Sequence, residues 1–133
     1  MVNYTLRRIG NNWVLDESLN HNLVGGNKYR KLQYIIRDEA SIAGILTFGS
    51  RYSSHLLASA FWARKLNVPM VGIVITDDRL DVSRYPHLNL AQKFGAQLQF
   101  TSNSEAFTFI EQMKQQGRNA FIEYQLPRAV INV

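Results

Sequence analysis

The sequence predicts an α/β fold, a three-layer sandwich built around a mainly parallel sheet. Two short apolar runs, at residues 45–48 and 70–75, are each followed by a polar loop and then by apolar residues at helical spacing. Strands of a parallel sheet are buried on both faces and therefore read as continuous apolar runs rather than as alternating ones. Alternation of such strands with helices indicates helices packed on both faces of the sheet.

The N-terminal residues are predicted to form an extended arm or a small hairpin over positions 1–17. Residues 4–9 and 12–15 are extended in pattern, and Gly10-Asn11-Asn12 between them is typical of a turn. The whole chain, residues 1–133, is then expected to form a single domain.

The remaining elements follow from apolar periodicity and from glycine and proline positions. We predict a first helix at 27–43, a second after the loop 49–55, a third from Pro86 to a stop at Gly95, and a fourth at 104–116. Predicted strands lie at 45–48, 70–75, 97–101 and 119–124, with an edge strand or tail at 129–133. The run 70–75 is the most apolar and should be central, and the loop 76–85 should be the most mobile segment.

Composition limits the classes of function. With 133 residues, 46% of them hydrophobic, the chain can bury the core of one domain. It has no cysteine, which suits a cytoplasmic protein and excludes disulfides and thiolate metal sites. No segment resembles a signal peptide or a membrane span. The net charge of +5 is spread along the chain, so we expect no nucleic-acid binding.

Three cations crowd the predicted start of the first helix, in Val-Gly-Gly-Asn-Lys-Tyr-Arg-Lys-Leu at 24–32. Asn27 is a favoured N-cap residue. Lys28, Arg30 and Lys31 would then oppose the positive end of the helix macrodipole, at a cost of up to ~1 kcal/mol each. A bound anion would offset that cost, and a glycine turn with free N–H groups suits a phosphate. The alternative is a solvated basic edge.

The motif Gly-Gly-Asn-Lys-x-Arg-Lys-Leu resembles the cofactor-lysine motif of the 1-aminocyclopropane-1-carboxylate (ACC) deaminase and D-cysteine desulfhydrase family. These are pyridoxal-phosphate enzymes of the tryptophan synthase β-like fold. The resemblance extends from about Trp13 to about Gln125 and corresponds to the N-terminal portion of such an enzyme. It implies the fold of the family's small domain and a pyridoxal 5'-phosphate cofactor.

The resemblance also assigns roles to two lysines. Lys28 stands at the position of the lysine that forms a Schiff base with the cofactor, and Lys31 is the candidate contact of the cofactor phosphate. An amine nucleophile needs a lowered pKa, which nearby cations such as Arg30 and Lys31 favour. The alternative is that Lys28 is an ordinary surface lysine.

The loop Gly-Ser-Arg-Tyr-Ser-Ser-His at 49–55 resembles the family's Gly-Gly-Ile-Gln-Ser-Asn-His. Ser53 matches the catalytic serine, whose hydroxyl lies beside the substrate, and His55 matches the motif histidine. Residues that bind the cofactor should include Ser54 and His55. The alternatives are that Ser53 and Ser54 cap a helix and that His55 is a satisfied polar residue at a helix start.

Several positions of this loop depart from the family pattern. Ser54 replaces an asparagine whose amide would hydrogen-bond the cofactor's ring oxygen, and a hydroxyl substitutes for that amide only in part. Arg51 and Tyr52 replace isoleucine and glutamine.

The family's C-terminal part, which supplies a glycine-rich phosphate loop and the partner of the pyridine nitrogen, has no counterpart in the sequence. We therefore expect a truncated deaminase- or desulfhydrase-like protein that retains the Schiff-base lysine motif, with a small amino acid as substrate. The alternative is a non-catalytic binding or interaction module. His21, His55 and His87 lack metal-ligand spacing, so no metal is expected.

Apolar residues in the terminal segments predict self-association as a homodimer. Exposed edges and apolar patches of more than a few hundred Å² are rare on monomers. The residues expected to be exposed are Tyr4, Leu6, Ile9, Trp13, Val130, Ile131 and Val133.

Overall fold

A computed structural model describes residues 5–18, 21, 24–38, 44–116 and 130–132. The strands are β1 (Thr5–Ile9), β2 (Asn12–Asp16), β3 (Ile45–Ser50), β4 (Met70–Ile75), β5 (Gln97–Thr101) and β6 (Val130–Asn132). The helices are α1 (Asn27–Asp38), α2 (Ser54–Leu66), α3 (Pro86–Lys93) and α4 (Asn103–Gln116), with a 3-10 turn at Val82–Arg84. The predicted strand 119–124 and the predicted helix end at 39–43 lie outside the described residues.

Four strands form a parallel sheet in the order β5-β4-β3-β6. The predicted fold class is confirmed, since helices flank this parallel sheet. Strand β4 is interior, as its apolar run predicted, and β6 pairs with β3 at the edge, which agrees with the edge-strand alternative for 129–133. The parallel registers bring the ends of β3, β4 and β5 to one edge of the sheet.

The core lies between the sheet and α2, which contacts β3, β4, α1 and α3. Its buried apolar side chains are at most 8% exposed, and Leu56 is fully buried. Gly72 in β4 lets Leu56 and Leu98 pack close to the strand, because a Cβ there would lie 3.2 and 3.1 Å from their methyl carbons.

Aromatic side chains fix α1 against the second half of α2. The Tyr29 ring stacks on Trp62 with centroids 5.4 Å apart and meets Phe61 at 5.8 Å. His21 joins the cluster through Tyr29 at 5.0 Å and Phe61 at 4.5 Å. These contacts of Tyr29 hold the first turn of α1, on which Lys28 lies, against α2.

The N-terminal strands form an antiparallel hairpin, as one of the two predicted alternatives has it. Leu6, Ile9 and Trp13 are more than half exposed, which agrees with the prediction for these three residues. Tyr4 and Val133, predicted to be exposed as well, lie outside the described residues. Strand β6 is described only through its backbone pairing with β3.

Candidate lysine site and the carboxyl edge of the sheet

Helix α1 begins at a glycine rather than at an asparagine cap. Gly26 has φ of +109°, a conformation that suits glycine, and its carbonyl accepts the first helical hydrogen bond, from Arg30 N–H at 3.4 Å. Gly26 is therefore the N-cap, and the prediction that Asn27 fills this position is wrong. The cause is the docking of the glycine turn, since Gly26 N–H donates to the Glu17 carbonyl at 2.8 Å.

Gly25 allows the segment before α1 to pack against the backbone of the glycine turn. A Cβ at Gly25 would lie 2.5 Å from the Ser18 carbonyl oxygen and 2.9 Å from that of His21. The His21 ring also accepts a hydrogen bond from Val24 N–H, at 3.3 Å through Nδ1. The two glycines are thus needed for different reasons, close approach at Gly25 and a positive φ at Gly26.

The cations of the first turn of α1 have different surroundings. Arg30 forms an ion pair with Glu17, whose side chain is 14% exposed. Lys28 is half-buried and Lys31 is exposed, and no carboxylate among the described residues pairs with either. Glu17 therefore supplies part of the negative charge that was expected to balance these cations. The sequence signal for it was the acidic residue before the glycine loop.

Ser53 caps helix α2, which was the structural alternative for this residue. Its Oγ accepts a hydrogen bond from Leu56 N–H at 3.1 Å, and its backbone is extended. Gly49 makes room for it, because a Cβ there would lie 2.4 Å from Ser53 Oγ. The O–H of Ser53 keeps its ability to donate, since the cap uses only the oxygen as acceptor.

His55 is bonded to the sheet and Ser54 is exposed. His55 Nε2 lies 2.8 Å from Oγ1 of Thr47, a fully buried residue in the middle of β3. A buried hydroxyl is costly without a partner, so this bond explains how a polar residue sits in the apolar strand. It matches the structural alternative for His55.

The predicted site residues form two groups. Lys28 and Lys31 share the first turn of α1, and Ser53, Ser54 and His55 share the first turn of α2. The contacts of Tyr29 hold the lysine turn beside Phe61 and Trp62, about 12 Å along the α2 axis from its cap.

Arg51 organises the carboxyl edge of the sheet. Its Nη2 donates to Thr76 Oγ1 at 2.7 Å and to Asp78 Oδ2 at 2.8 Å, and its Nη1 donates to the Tyr85 hydroxyl at 3.3 Å. The hydrogen bond to Asp78, and then that to Tyr85, raise the pKa of Arg51. The sequence marked Arg51 only as a departure from the family motif.

The loop 76–85, which the sequence predicted as mobile, carries further hydrogen bonds. Asp77 accepts from the backbone N–H of Asn103 at 2.8 Å and from its side-chain amide at 2.6 Å, which tethers the loop to the start of α4. These bonds lower the pKa of Asp77, the side-chain bond most. Asp81 accepts from Ser83 and closes the 3-10 turn, and the Ser83 hydroxyl is the main cause of the lowered pKa of Asp81.

Two further features are absent from the described residues. No three histidine, aspartate or glutamate side chains in these residues lie together as a metal would need. Within the same part of the chain, no helix combines the length and the apolar character of a membrane span.

Solved structures share this fold. The structure of an ACC deaminase homologue matches with a TM-score of 0.66 at 19% identity, over 90% of this chain and 36% of that one. Two hydrogen sulfide-producing enzymes of Fusobacterium nucleatum match with TM-scores of 0.59 and 0.57 at 11% and 22% identity. They cover 98% and 90% of this chain, and the chain covers 42% and 34% of theirs.

These matches confirm the predicted resemblance at the level of the fold. The chain spans less than half the length of each of these three proteins. No protein-family model matches the sequence, and no curated protein sequence matches it.

Proposed function

We propose that the chain carries the cofactor-lysine part of a pyridoxal-phosphate enzyme that deaminates a small amino acid or eliminates its β-substituent. The observation that carries the proposal is the position of the Gly-Gly-Asn-Lys-x-Arg-Lys-Leu motif. It occupies the start of α1 in a fold shared with an ACC deaminase homologue and two hydrogen sulfide-producing enzymes. Lys28 is the proposed attachment residue.

The residues at the start of α1 fit a phosphate-bearing aldehyde. Lys28 and Lys31 are three positions apart and therefore neighbours on the helix surface. The first-turn N–H groups of a helix lack intrahelical partners and favour an anion. Space is open beside Gly26, where an added Cβ would meet no heavy atom within 4 Å.

Pyridoxal phosphate, when bound, supplies an electron sink for a carbanion formed on the substrate. Lys28 would hold the group through its amine and would carry a proton at Nζ once released. Lys31 would pair with the phosphate. The hydroxyl of Ser53 would donate to the substrate while its oxygen accepts from Leu56 N–H, and Ser54 would donate to the ring oxygen.

Covalent labelling tests the assignment. The protein is incubated with pyridoxal phosphate, reduced with borohydride and mapped by peptide mass spectrometry. We expect one label per chain, on Lys28. Lys28→Arg keeps the positive charge but should lose the label, whereas Lys93→Arg, which changes a lysine in the last turn of α3, should keep it. Equal labelling of wild type and Lys28→Arg would refute the site.

We expect the 133-residue chain, purified alone, to give no useful turnover of D-cysteine or ACC. The reason is that these 133 residues span 36% of the ACC deaminase homologue, and the resemblance places the phosphate loop and the pyridine-nitrogen partner in the part of such an enzyme that they do not cover. Pyruvate or 2-oxobutyrate release that disappears in Lys28→Arg would contradict this expectation.

A second candidate function is a non-catalytic binding or interaction module. It is favoured by the contacts of Ser53 and His55, which a helix cap and a bond to buried Thr47 explain without any chemistry. Labelling at Lys28 would favour the first candidate, and its absence at saturating cofactor would favour the second.

We also propose that the hairpin β1–β2 mediates a homodimer. Cross-strand partners share a face, so Leu6 and Leu15 lie together beside the Arg8–Trp13 pair. Leu6 is 65% exposed, Leu15 48% and Trp13 67%. A two-stranded hairpin is only marginally stable in isolation, and a durable interface buries at least ~1,000 Å² in total.

Light scattering across a dilution series measures this association. The wild type should have a dimer mass, and Leu6→Ser/Trp13→Ser should be monomeric. Phe107→Ser removes a comparably exposed aromatic residue from α4 and should leave the mass unchanged. A monomeric wild type at micromolar concentration would exclude the dimer.

A further inference from the structure

A cavity lies at the carboxyl edge of the sheet, between the loop after β3 and the start of α3. It has a volume of about 360 Å³ and is lined by Arg51, Tyr52, Arg84, Tyr85, Pro86 and His87. Lys28 and Lys31 do not line it. We propose that this pocket binds a small aromatic carboxylate, a ligand that the pyridoxal-phosphate proposal does not require.

Two tyrosines supply the surface for a planar ring. The rings of Tyr52 and Tyr85 are 5.6 Å apart between centroids and inclined at 59°. The Tyr85 hydroxyl accepts from Arg51, whose guanidinium carbon also lies 5.7 Å from the Tyr85 ring centroid. Tyr85 is therefore held in place, while Tyr52 is 72% exposed and can close over a ligand. Offset or tilted ring packing against such walls is favourable.

The charged residues of the lining are cationic. Arg51 is partly compensated by Asp78, at 2.8 Å, and its three hydrogen bonds fix the guanidinium in one orientation. The Arg84 side chain is 82% exposed and lies 3.7 Å from Asp81, an exposed ion pair of the kind that contributes little. Arg84 can therefore turn to a ligand carboxylate, which its planar fork of donors matches.

His87 adds a polar group with a defined tautomer. Its Nδ1 lies 3.1 Å from the Tyr52 carbonyl oxygen. Because a carbonyl only accepts, Nδ1 carries the proton in that bond, and Nε2 is the ring nitrogen left for a ligand. The same bond ties the start of α3 to the backbone of Tyr52, so the two sides of the pocket are joined.

The groups that line the pocket, and its volume, favour a small carboxylate over a phosphate. Phosphate sites use several backbone N–H groups, commonly from glycine-rich turns. Here α3 begins with Pro86, which has no N–H, and the described residues that line the cavity include no glycine. The volume is at the lower end of the range of about 300–1,000 Å³ for ligand pockets, which suits a molecule of one or two rings.

NMR titration with benzoate tests the proposal, with amide shifts followed in the ¹H–¹⁵N spectrum. Saturable shifts should appear at the amides of residues 51, 52, 84, 85, 87 and 88. Benzamide, which has the ring without the charge, and cyclohexanecarboxylate, which has the charge without a planar ring, should each bind about tenfold more weakly, because either loss removes one of the two kinds of contact.

Substitutions localise the effect. Arg84→Gln should raise the benzoate Kd about tenfold, as expected for losing a charge-assisted hydrogen bond. Arg79→Gln, which changes an exposed arginine of the same loop outside the lining, should leave it unchanged. Tyr52→Leu should also weaken binding, through loss of the ring wall. Both affected residues are largely exposed, so folding should be retained.

Lys28→Arg separates this inference from the proposed function, because it should abolish covalent labelling and leave benzoate binding intact. No saturable shift with benzoate at millimolar concentration would overturn the inference. Equal binding of benzamide, or unchanged binding in Arg84→Gln, would do the same.

Discussion

The first turns of α1 and α2 each follow a glycine-containing loop, and both were predicted to carry site residues, yet their polar groups are used differently. At α2, Ser53 caps the helix and His55 bonds Thr47. At α1 the cap is Gly26, which has no side chain, and Lys28 and Lys31 meet no carboxylate in the described part of the chain.

The difference shows that the two motif matches are not equally strong evidence for a function. The serine and histidine of the α2 turn satisfy requirements of the fold, so a protein without catalytic activity could retain them. Lysines at the start of α1 oppose the helix macrodipole and contribute nothing to the capping of the helix. A ligand anion is the simplest compensation for them, so the α1 turn is the stronger functional signal.

The largest expected effect comes from Gly49→Ala. The new Cβ would lie 2.4 Å from Ser53 Oγ and 2.9 Å from Leu56 Cγ, so the start of α2 has to shift. Overpacking of this kind should lower the free energy of unfolding by about 3 kcal/mol. Gly26→Ala meets no atom but forces a positive φ on alanine, and should cost about 1–2 kcal/mol.

Urea unfolding measures both variants, and borohydride labelling of Lys28 gives the second readout. Gly26→Ala should reduce the labelling while most of the stability remains. A smaller loss of stability in Gly49→Ala than in Gly26→Ala would contradict the tight packing inferred at the α2 turn.

A smaller effect should separate the two neighbouring serines. Ser53→Ala removes the cap of α2 and should cost about 1 kcal/mol in the free energy of unfolding. Ser54→Ala changes an exposed hydroxyl and should stay within about 0.5 kcal/mol.

Ser53→Asp keeps a capping acceptor and should be close to wild-type stability. If Ser53 acts only as a cap, this variant should also retain every binding property of the protein. A stable Ser53→Asp that fails to bind substrate would assign the hydroxyl a role beyond the fold.

Glu17→Gln tests the charge balance at the α1 turn. The substitution removes the ion pair with Arg30 but leaves the backbone bond from Gly26 N–H to the Glu17 carbonyl. Since one negative charge beside the proposed phosphate seat disappears, the affinity for pyridoxal phosphate should rise severalfold, about 1 kcal/mol. Glu105→Gln in the first turn of α4 is the control. A fall in affinity would mean that Glu17 orients the lysine turn instead.

The sequence predicted most of the fold because burial controls it. The apolar runs of β3 and β4 are buried, and β4 is interior as expected. Pro86 starts α3, and Gly95, with φ of +102°, follows its end. These features depend on the local properties of single residues, which can be read from the sequence.

The sequence did not predict contacts between distant residues. The N-cap at Gly26 depends on docking against Glu17, and the Arg51 network reaches residues 25 to 34 positions further along the chain. In the sequence Thr47 belongs to an apolar strand, and the structure supplies His55 as its hydrogen-bond partner. In each case a polar group is paired by tertiary structure, and no periodicity encodes the pairing.

The smallest expected effect concerns Asp16, in the segment that supports the α1 turn. Its Oδ1 accepts from the Ser18 hydroxyl at 2.6 Å and from Ser18 N–H at 3.0 Å, and Oδ2 pairs with Arg7 at 2.9 Å. These interactions hold the pKa of Asp16 below its usual 3.8. The Ser18 hydroxyl lowers the pKa most, the Ser18 N–H comes next, and the charge of Arg7 contributes least. Carbon-detected NMR titration should show this, with Ser18→Ala raising the pKa more than Arg7→Gln.

Because the folded state favours the ionised carboxylate of Asp16, its contribution to stability is present above pH 3.8 and is lost as the pH falls through the lowered pKa. The cap of α2, in which Ser53 Oγ accepts from Leu56 N–H, uses no carboxylate, and the ion pair of Arg51 with Asp78 lies in the loop before it. Acid should therefore loosen the α1 turn first, because Ser18 packs on Gly25 and Glu17 holds Gly26.

Hydrogen exchange measures this loosening directly. On acidification, and after correction for intrinsic exchange, the protection of Gly26 N–H should fall before that of Leu56 N–H. Simultaneous loss at both amides would indicate that the two turns open together and that Asp16 has no local role.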